Sequence, residues 1–253
     1  MDAHHRAGSF ASVLRLTLYK SYESDRVLIR VGLEYGVEGR ILAWALDFPG
    51  CFAYGEDDAE VMMNFVRNLL AYEAWINLHA DQPWFNLINL DFRIVEVIKL
   101  ENSSRQAGSS KPMAFFEDDH RALTQDEVQH ALSVYHWQKE ELMAGLEFLP
   151  EAAYARAKRE TGKSIPAMIS QMAQDTYAIL TALGIPLPAF PSEDDGLAQL
   201  DFIAGLVHLA LPALVGVELI SEAAGEMWSP RKAMRHLLWR KREGIEQIKV
   251  LVG

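Results

Sequence analysis

The residues with most chemical potential lie close together near the end of the chain. In the stretch Trp228–Ile248, WSPRKAMRHLLWRKREGIEQI, His236, Arg240, Lys241 and Gly244 fall within little more than two helical turns. Met234, Leu237, Leu238, Ile245 and Ile248 make one apolar stripe at the helical period, and Lys241 lies inside it. A buried ammonium must find a carboxylate or give up its proton. Asp175 and Glu140 are the expected partners, with a snorkelling side chain as the other ordinary outcome. The functional alternative is a cationic pocket, in which Arg240 and Lys241 hold a small carboxylate or phosphate. His136, Asp175, His208, Glu218 and His236 are further ionisable groups on helical segments. They are either hydrogen-bonded structural residues or the donors of a metal site. His208 stands out because its segment is otherwise almost wholly apolar, and a buried imidazole needs a partner for its N–H.

Arg231, Lys232, Arg235, Arg242 and Lys249 add a basic stripe to the same last segment. Such a stripe can meet nucleic acid or an acidic partner. The chain as a whole carries a net charge of -11, which argues against a general nucleic-acid binder. A solvated face, or docking onto the acidic first domain, is the expected role. The 253 residues suffice for one large or two ordinary domains. The single cysteine, Cys51, allows no internal disulfide and fits a reducing cytoplasm. It has no evident His partner, and no P-loop, GxSxG, CxxC or HExxH pattern occurs. The opening residues MDAHHRAGSF lack an apolar core, so no secretory signal is expected. Residues 202–220 approach the length of a membrane span, but they carry His208, Pro212 and Glu218. A buried helix or a dimer interface is the expectation there, with no membrane.

The elements that would position these groups follow from periodicity. Residues 13–20, 26–35 and 40–48 read as strands, the last two joined by the GVEG turn into an antiparallel hairpin. Residues 51–55 read as a connection. An amphipathic helix capped by Asp57 or Asp58 follows, and then a strand over 92–100. ENSSRQAGSSK, 101–111, reads as a linker. Beyond it four helices are expected: 126–149, capped by Thr124 with Glu127 closing a capping box; 165–183; 197–224; and the last segment, capped by Ser229 with Pro230 in its first turn.

Two resemblances bear on this layout. The run ILAWALDFPGCFAYGEDDAEVMMNFVRNLLAYEAWI resembles the HicB-like antitoxin domain, on Asp47, Pro49, Gly50, Cys51, Gly55 and the helix from Asp57. It covers roughly residues 25–100 and implies an α+β unit that contacts a toxin or RNA. No basic helix-turn-helix-like segment follows it. Residues 122–250 resemble the DinB-like superfamily of four-helix bundles, which includes metal-dependent thiol transferases. The match rests on His236, Arg240, Gly244, Gln247 and Ile248 in the last helix, and on ISQMAQDTYAIL earlier. The resemblance implies a divalent metal held by three His, at the positions that Gln171, Arg240 and Gly244 occupy here. All three His are thus missing: Arg cannot deprotonate to bind a cation, and Gly has no side chain.

The expected fold is thus an α+β domain of order β-β-β-α-β over 1–105, a linker over 106–120, and an all-α four-helix bundle over 121–253. The expected ligand pocket comprises Gln171, Asp175, Arg240, Lys241, Gly244, His208 and His236, with no metal and no cofactor. The function expected is a cytoplasmic, non-catalytic or weakly catalytic protein. It binds a small anionic ligand or a protein partner and dimerises through its bundle. The alternatives are a metal-dependent thiol transferase or hydrolase using a shifted site among His136, Asp175, His208 and His236, and a toxin–antitoxin-type regulatory module.

Overall fold

A computed structural model describes residues 27–85, 87, 90–99, 113–150, 152–153, 162–192 and 195–252. The expected strand over 13–20 and the expected linker over 101–111 lie outside these residues. The chain is mixed α+β, with a small sheet first and helices after it. Strands β1 (Val27–Val37) and β2 (Arg40–Ala45) form the expected antiparallel hairpin, turning through Glu38 and Gly39, both at positive φ. Residues 52–55, read from sequence as part of a connection, form β3 (Phe52–Gly55). The strand is short and irregularly patterned, so periodicity alone does not reveal it; its ladder to β2 defines it. Helix α1 (Asp58–His79) starts at Asp57, whose carboxylate accepts from the Glu60 N–H. Strand β4 (Leu90–Lys99) then returns parallel to β1, giving the sheet order β3-β2-β1-β4.

Both faces of the sheet are covered. Ile29, Val31, Leu33, Ile41, Ala43 and Ala53 pack against Val61, Phe65 and Leu69 of α1. Leu42, Trp44 and Leu46, alternating with them, pack on the other face against Phe116 and Trp239. This is why β2 reads as the unbroken apolar run ILAWA rather than as an alternation. Gly32 has a specific role here. A Cβ on it would stand 2.8 Å from the Phe116 ring, so only glycine lets that ring lie on the sheet.

The helical part begins with a 3-10 turn, Glu117–His120, and α2 (Gln125–Glu147), whose Thr124–Glu127 capping box forms as expected. Helix α3 (Ile165–Ala182) is capped by Ser164, and α4 (Gly196–Ala213) by Asp195. Helix α4 is shorter than the expected 197–224. It stops after Pro212, where Gly216 N–H donates to the Leu123 carbonyl, and a hairpin of β5 (Ser221–Ala223) and β6 (Glu226–Trp228) follows. That hairpin turns through Ala224 and Gly225, both at positive φ. Among the described residues α4 is the one helix long and apolar enough to cross a membrane. Its inner side packs into the core shared by the helices. Helix α5 (Pro230–Val252) closes the chain, with the Ser229 hydroxyl accepting from the Lys232 N–H as expected of its cap.

Residues 228–239 are buried without a break. One side of α5 packs with Val128, Ile169, Ile203 and Val207 in the helical core, and Trp239 reaches across to the sheet. Three members of the basic stripe, Arg231, Lys232 and Arg235, are therefore not on a solvated face, whereas Lys249 is exposed and Arg242 partly so. Arg235 holds Asp119 through two bonds, of 2.5 and 2.9 Å. Arg231 makes a forked pair with Glu127, both at 2.8 Å, and donates to the Arg121 and Ala122 carbonyls. Lys232 meets Glu226 at 2.7 Å and the Met113 and Met227 carbonyls at 2.9 Å. Residues 113–120, within the expected linker, supply much of this interface: Ala114, Phe116, Asp118 and Asp119 are all buried. Replacing Asp119 by Ala leaves Arg235 buried and unpaired. The variant is expected to lose about 3–5 kcal/mol of stability, read from urea unfolding. A loss below about 1 kcal/mol would mean that the pair is not what holds the interface.

Candidate functional site

Gln171 and Asp175 on α3, and Arg240, Gly244 and Gln247 on α5, line one open cavity of about 720 Å³. The sheet unit closes it with Arg40, Phe52 and Tyr54, and Lys163 stands at its rim just before α3. Four of the expected pocket residues are thus brought together. Gly244 permits the close approach of the two helices: a Cβ there would lie 2.6 Å from Met172 Cγ and 2.7 Å from its Sδ.

A chain of hydrogen bonds ties the two halves of the wall. Trp239 Nε1–H donates to the Tyr54 hydroxyl at 3.2 Å, and that hydroxyl donates to Glu243 at 2.8 Å. Glu243 also accepts from Arg240 at 3.1 Å, while the Arg240 guanidinium lies 4.0 Å from the centre of the Trp239 ring. Arg40 stacks over Tyr54 at 3.9 Å and donates to Glu38. Burial, and after it the neighbouring Glu243, push the Tyr54 phenol above its ordinary range, so it remains a donor at neutral pH. Gln171 donates to Asp175 at 2.9 Å, which orients both side chains along α3. The lining includes three basic side chains, Arg40, Lys163 and Arg240, and three acidic ones, Asp175, Glu243 and Glu246. Among the described residues of the lining there is no Ser, Cys or His. Such a lining can bind and orient a charged molecule. Arg40, Tyr54 and Glu243 escape sequence reasoning, because they meet only when β2 and β3 dock on a helix some 190 residues away.

The other three expected pocket residues lie elsewhere. Lys241 projects from a different face of α5 into the core of the helices. Its ammonium donates to the Tyr135 carbonyl at 2.8 Å and sits 3.3 Å from the centre of the Tyr135 ring. Neither Asp175 nor Glu140 reaches it: Asp175 lines the cavity and Glu140 pairs with His136 at the surface. His208 is exposed on the outer side of α4, so its expected buried partner is not needed. His236 is fully enclosed between Trp44, stacked at 5.5 Å, and Trp228 and Trp239, edge-on at 5.3 and 5.4 Å. Its Nε2 has no hydrogen-bond partner. Burial, and then Arg235, Lys232 and Arg240 around it, hold its pKa well below the ordinary value, so the ring is neutral.

A three-His metal site does not fit here. Gln171 is engaged with Asp175, Arg240 carries a fixed positive charge, and Met172 fills the space that a side chain at 244 would need. The groups of a shifted site do not converge either. Among the described residues no three His, Cys, Asp or Glu side chains are placed to hold one ion. No family model, curated protein or solved structure matches this chain. What fold and site define is an α+β chain with a mixed-charge cavity where its sheet meets its helices.

Lys241 generates a test of the interior. Desolvation by burial, with Lys139 adding to it, holds the Lys241 pKa well below the ordinary 10.5. Between that depressed value and 10.5 the unfolded chain binds the proton more readily, so stability rises with pH through this window. Lys241→Met fills a similar volume without the charge. It is expected to gain about 1–4 kcal/mol at neutral pH and to flatten the rise in melting temperature towards alkaline pH. A destabilised variant with an unchanged pH profile would refute this account.

Proposed function

We propose that the chain is a non-catalytic or weakly catalytic ligand-binding protein, a DinB-like four-helix bundle carrying a HicB-like unit, in which the metal site has given way to a cavity for a small anion. The observation that carries this reading is the convergence of Gln171, Asp175, Arg240 and Gly244 on one open cavity of about 720 Å³. Arg40, Lys163 and Arg240 line the same space, and a carboxylate or phosphate can take the place of Glu243 as the partner of Arg240. Arg240 is half-buried and stacked, which favours a fixed guanidinium over a freely rotating one. Because three carboxylates share the lining, a ligand bearing a cationic group beside its anion suits the cavity better than a dianion.

In this reading the chain works in the cytoplasm as a homodimer. Helix α4 supports that: Leu209 is 74% exposed on its outer side and Leu197 is 40% exposed. A regulatory role through a protein partner of the sheet unit is the alternative, resting on the HicB-like resemblance alone.

The cavity is tested by thermal unfolding with inorganic phosphate, malonate and glycine as probes, at matched ionic strength. A probe present at a hundredfold excess over its Kd stabilises the fold by about 2.7 kcal/mol. Saturable stabilisation by at least one probe is expected, weakened tenfold or more in Arg240→Gln. Equal responses of the native chain and the variant to all three probes would sink the reading.

A further inference from the structure

Helices α3 and α5 run antiparallel where they wall the larger cavity. The Ser221 hydroxyl, in the hairpin that leads into α5, donates to the Ala182 carbonyl at the C-terminal end of α3. At the other end Lys163, just before α3, lines the cavity together with Val250, near the end of α5. Met172 marks the level of Gly244, since its Cγ would stand 2.6 Å from a Cβ there. Asp175 lies about 4.5 Å beyond Met172 along α3, and Arg240 about 6 Å before Gly244 along α5, at about 1.5 Å per residue. In antiparallel helices these displacements point the same way, so Asp175 and Arg240 stand level to within about 2 Å on the wall of one cavity. A glycine at the contact holds the two axes close, towards the short end of the usual separation of about 8–10 Å.

Both side chains are open to solvent, Arg240 being 35% exposed and Asp175 half-buried. Each keeps part of its hydrogen-bonding capacity. Asp175 accepts from Gln171 through Oδ1, and among the described residues its Oδ2 accepts no hydrogen bond. Arg240 reaches Glu243 through Nη1 and lies on the Trp239 ring, and among the described residues its Nη2 and Nε donate to nothing. The other charges around them are engaged: Glu243 by Tyr54 and Arg240, Glu246 by Arg242 and Lys249. A dianion placed between Asp175 and Arg240 meets the carboxylate, and a diamine meets the guanidinium. A zwitterion with both charges on one carbon offers each wall its opposite. Met172, Met168 and Val250 follow on one side of this pair, along α3 and α5, and thioethers adapt to apolar groups of different shapes.

We infer that the larger cavity is a site for a free α-amino acid with an apolar side chain. Its carboxylate lies on Arg240, its ammonium on Asp175, and its side chain along Met172, Met168 and Val250. The assignment rests on the anion-binding role proposed for this cavity and adds a second charge and an apolar contact to it. The test is calorimetric titration of the full chain with L-methionine, N-acetyl-L-methionine, L-methioninamide and glycine. Saturable binding of methionine is expected. The acetylated ligand lacks the ammonium and the amide lacks the carboxylate, so each is expected to bind about tenfold more weakly or worse, as is glycine, which lacks the side chain. Asp175→Asn keeps the shape of the side chain and an acceptor for Gln171. It is expected to weaken methionine about tenfold and to leave N-acetyl-L-methionine no weaker. Equal binding of methionine and its acetylated form, or methionine binding unchanged in Asp175→Asn, would overturn the amino-acid assignment. If Arg240→Gln still weakens the acetylated ligand in that case, the anion cavity stands without it. Absence of methionine binding overturns the assignment as well, and the response to inorganic phosphate then decides the anion cavity alone.

Discussion

The structure depends on a helix segment buried on all sides that is nevertheless charged. Residues 228–239 have no solvent-facing side, yet they include Arg231, Lys232 and Arg235. Apolar side chains satisfy such a position without help, but each buried cation needs a partner brought to it. Asp119, Glu127 and Glu226 are those partners, and they come from the 3-10 turn, α2 and the β5–β6 hairpin. The same demand extends into the sheet. Glu34, 1% exposed, accepts from Trp44 Nε1 and the Ala114 N–H, and Asp118 joins Arg30 of β1. These pairs impose position more than they add stability, since an apolar interface of the same shape would cost less to bury. They fix how the sheet sits on the last helix, and so they fix the cavity where the two meet.

That cavity has one wall from the sheet unit and one from the helices. Tyr54 and Arg40 complete the larger cavity, and Gly50, Phe52 and Trp75 help line a smaller one of about 300 Å³ beside it. The two lie close to one another, sharing Phe52 and Glu246 in their linings. A change in the angle between the units would therefore alter both. The hydrogen-bonded chain Trp239–Tyr54–Glu243–Arg240 is the most direct mechanical link between sheet position and the electrostatics of the larger cavity.

Lys241 shows the same interior with a different answer. It has no carboxylate within reach, only the Tyr135 carbonyl and ring, and desolvation drives its pKa down. A group that carries a standing cost of this kind and lines neither cavity is a strained element of the core rather than part of the pocket its sequence position suggested.

Periodicity and capping, read from sequence, recover α1, α2, α3, α5 and the β1–β2 hairpin, because these depend on contacts within a few residues. Asp57, Thr124 and Ser229 are legible as caps for the same reason. Strand β3 and the end of α4 are not: a four-residue strand exists only through its ladder to β2, and just past the end of α4 the Gly216 N–H donates to the carbonyl of Leu123 in a distant segment. Four residues of the larger cavity, Gln171, Asp175, Arg240 and Gly244, are named by the sequence as well, three of them through the DinB-like resemblance, and they converge because they lie on facing sides of two neighbouring helices. Lys241 lies one residue from Arg240, and that single step of rotation turns it into the core instead. What the sequence determined by itself is which helices form and which of their faces are apolar. Tertiary structure alone decided which charges are buried, because the stretch with Arg231, Lys232 and Arg235 reads as exposed until Asp119 and Glu127 from distant segments, and Glu226 from the preceding hairpin, are folded against it.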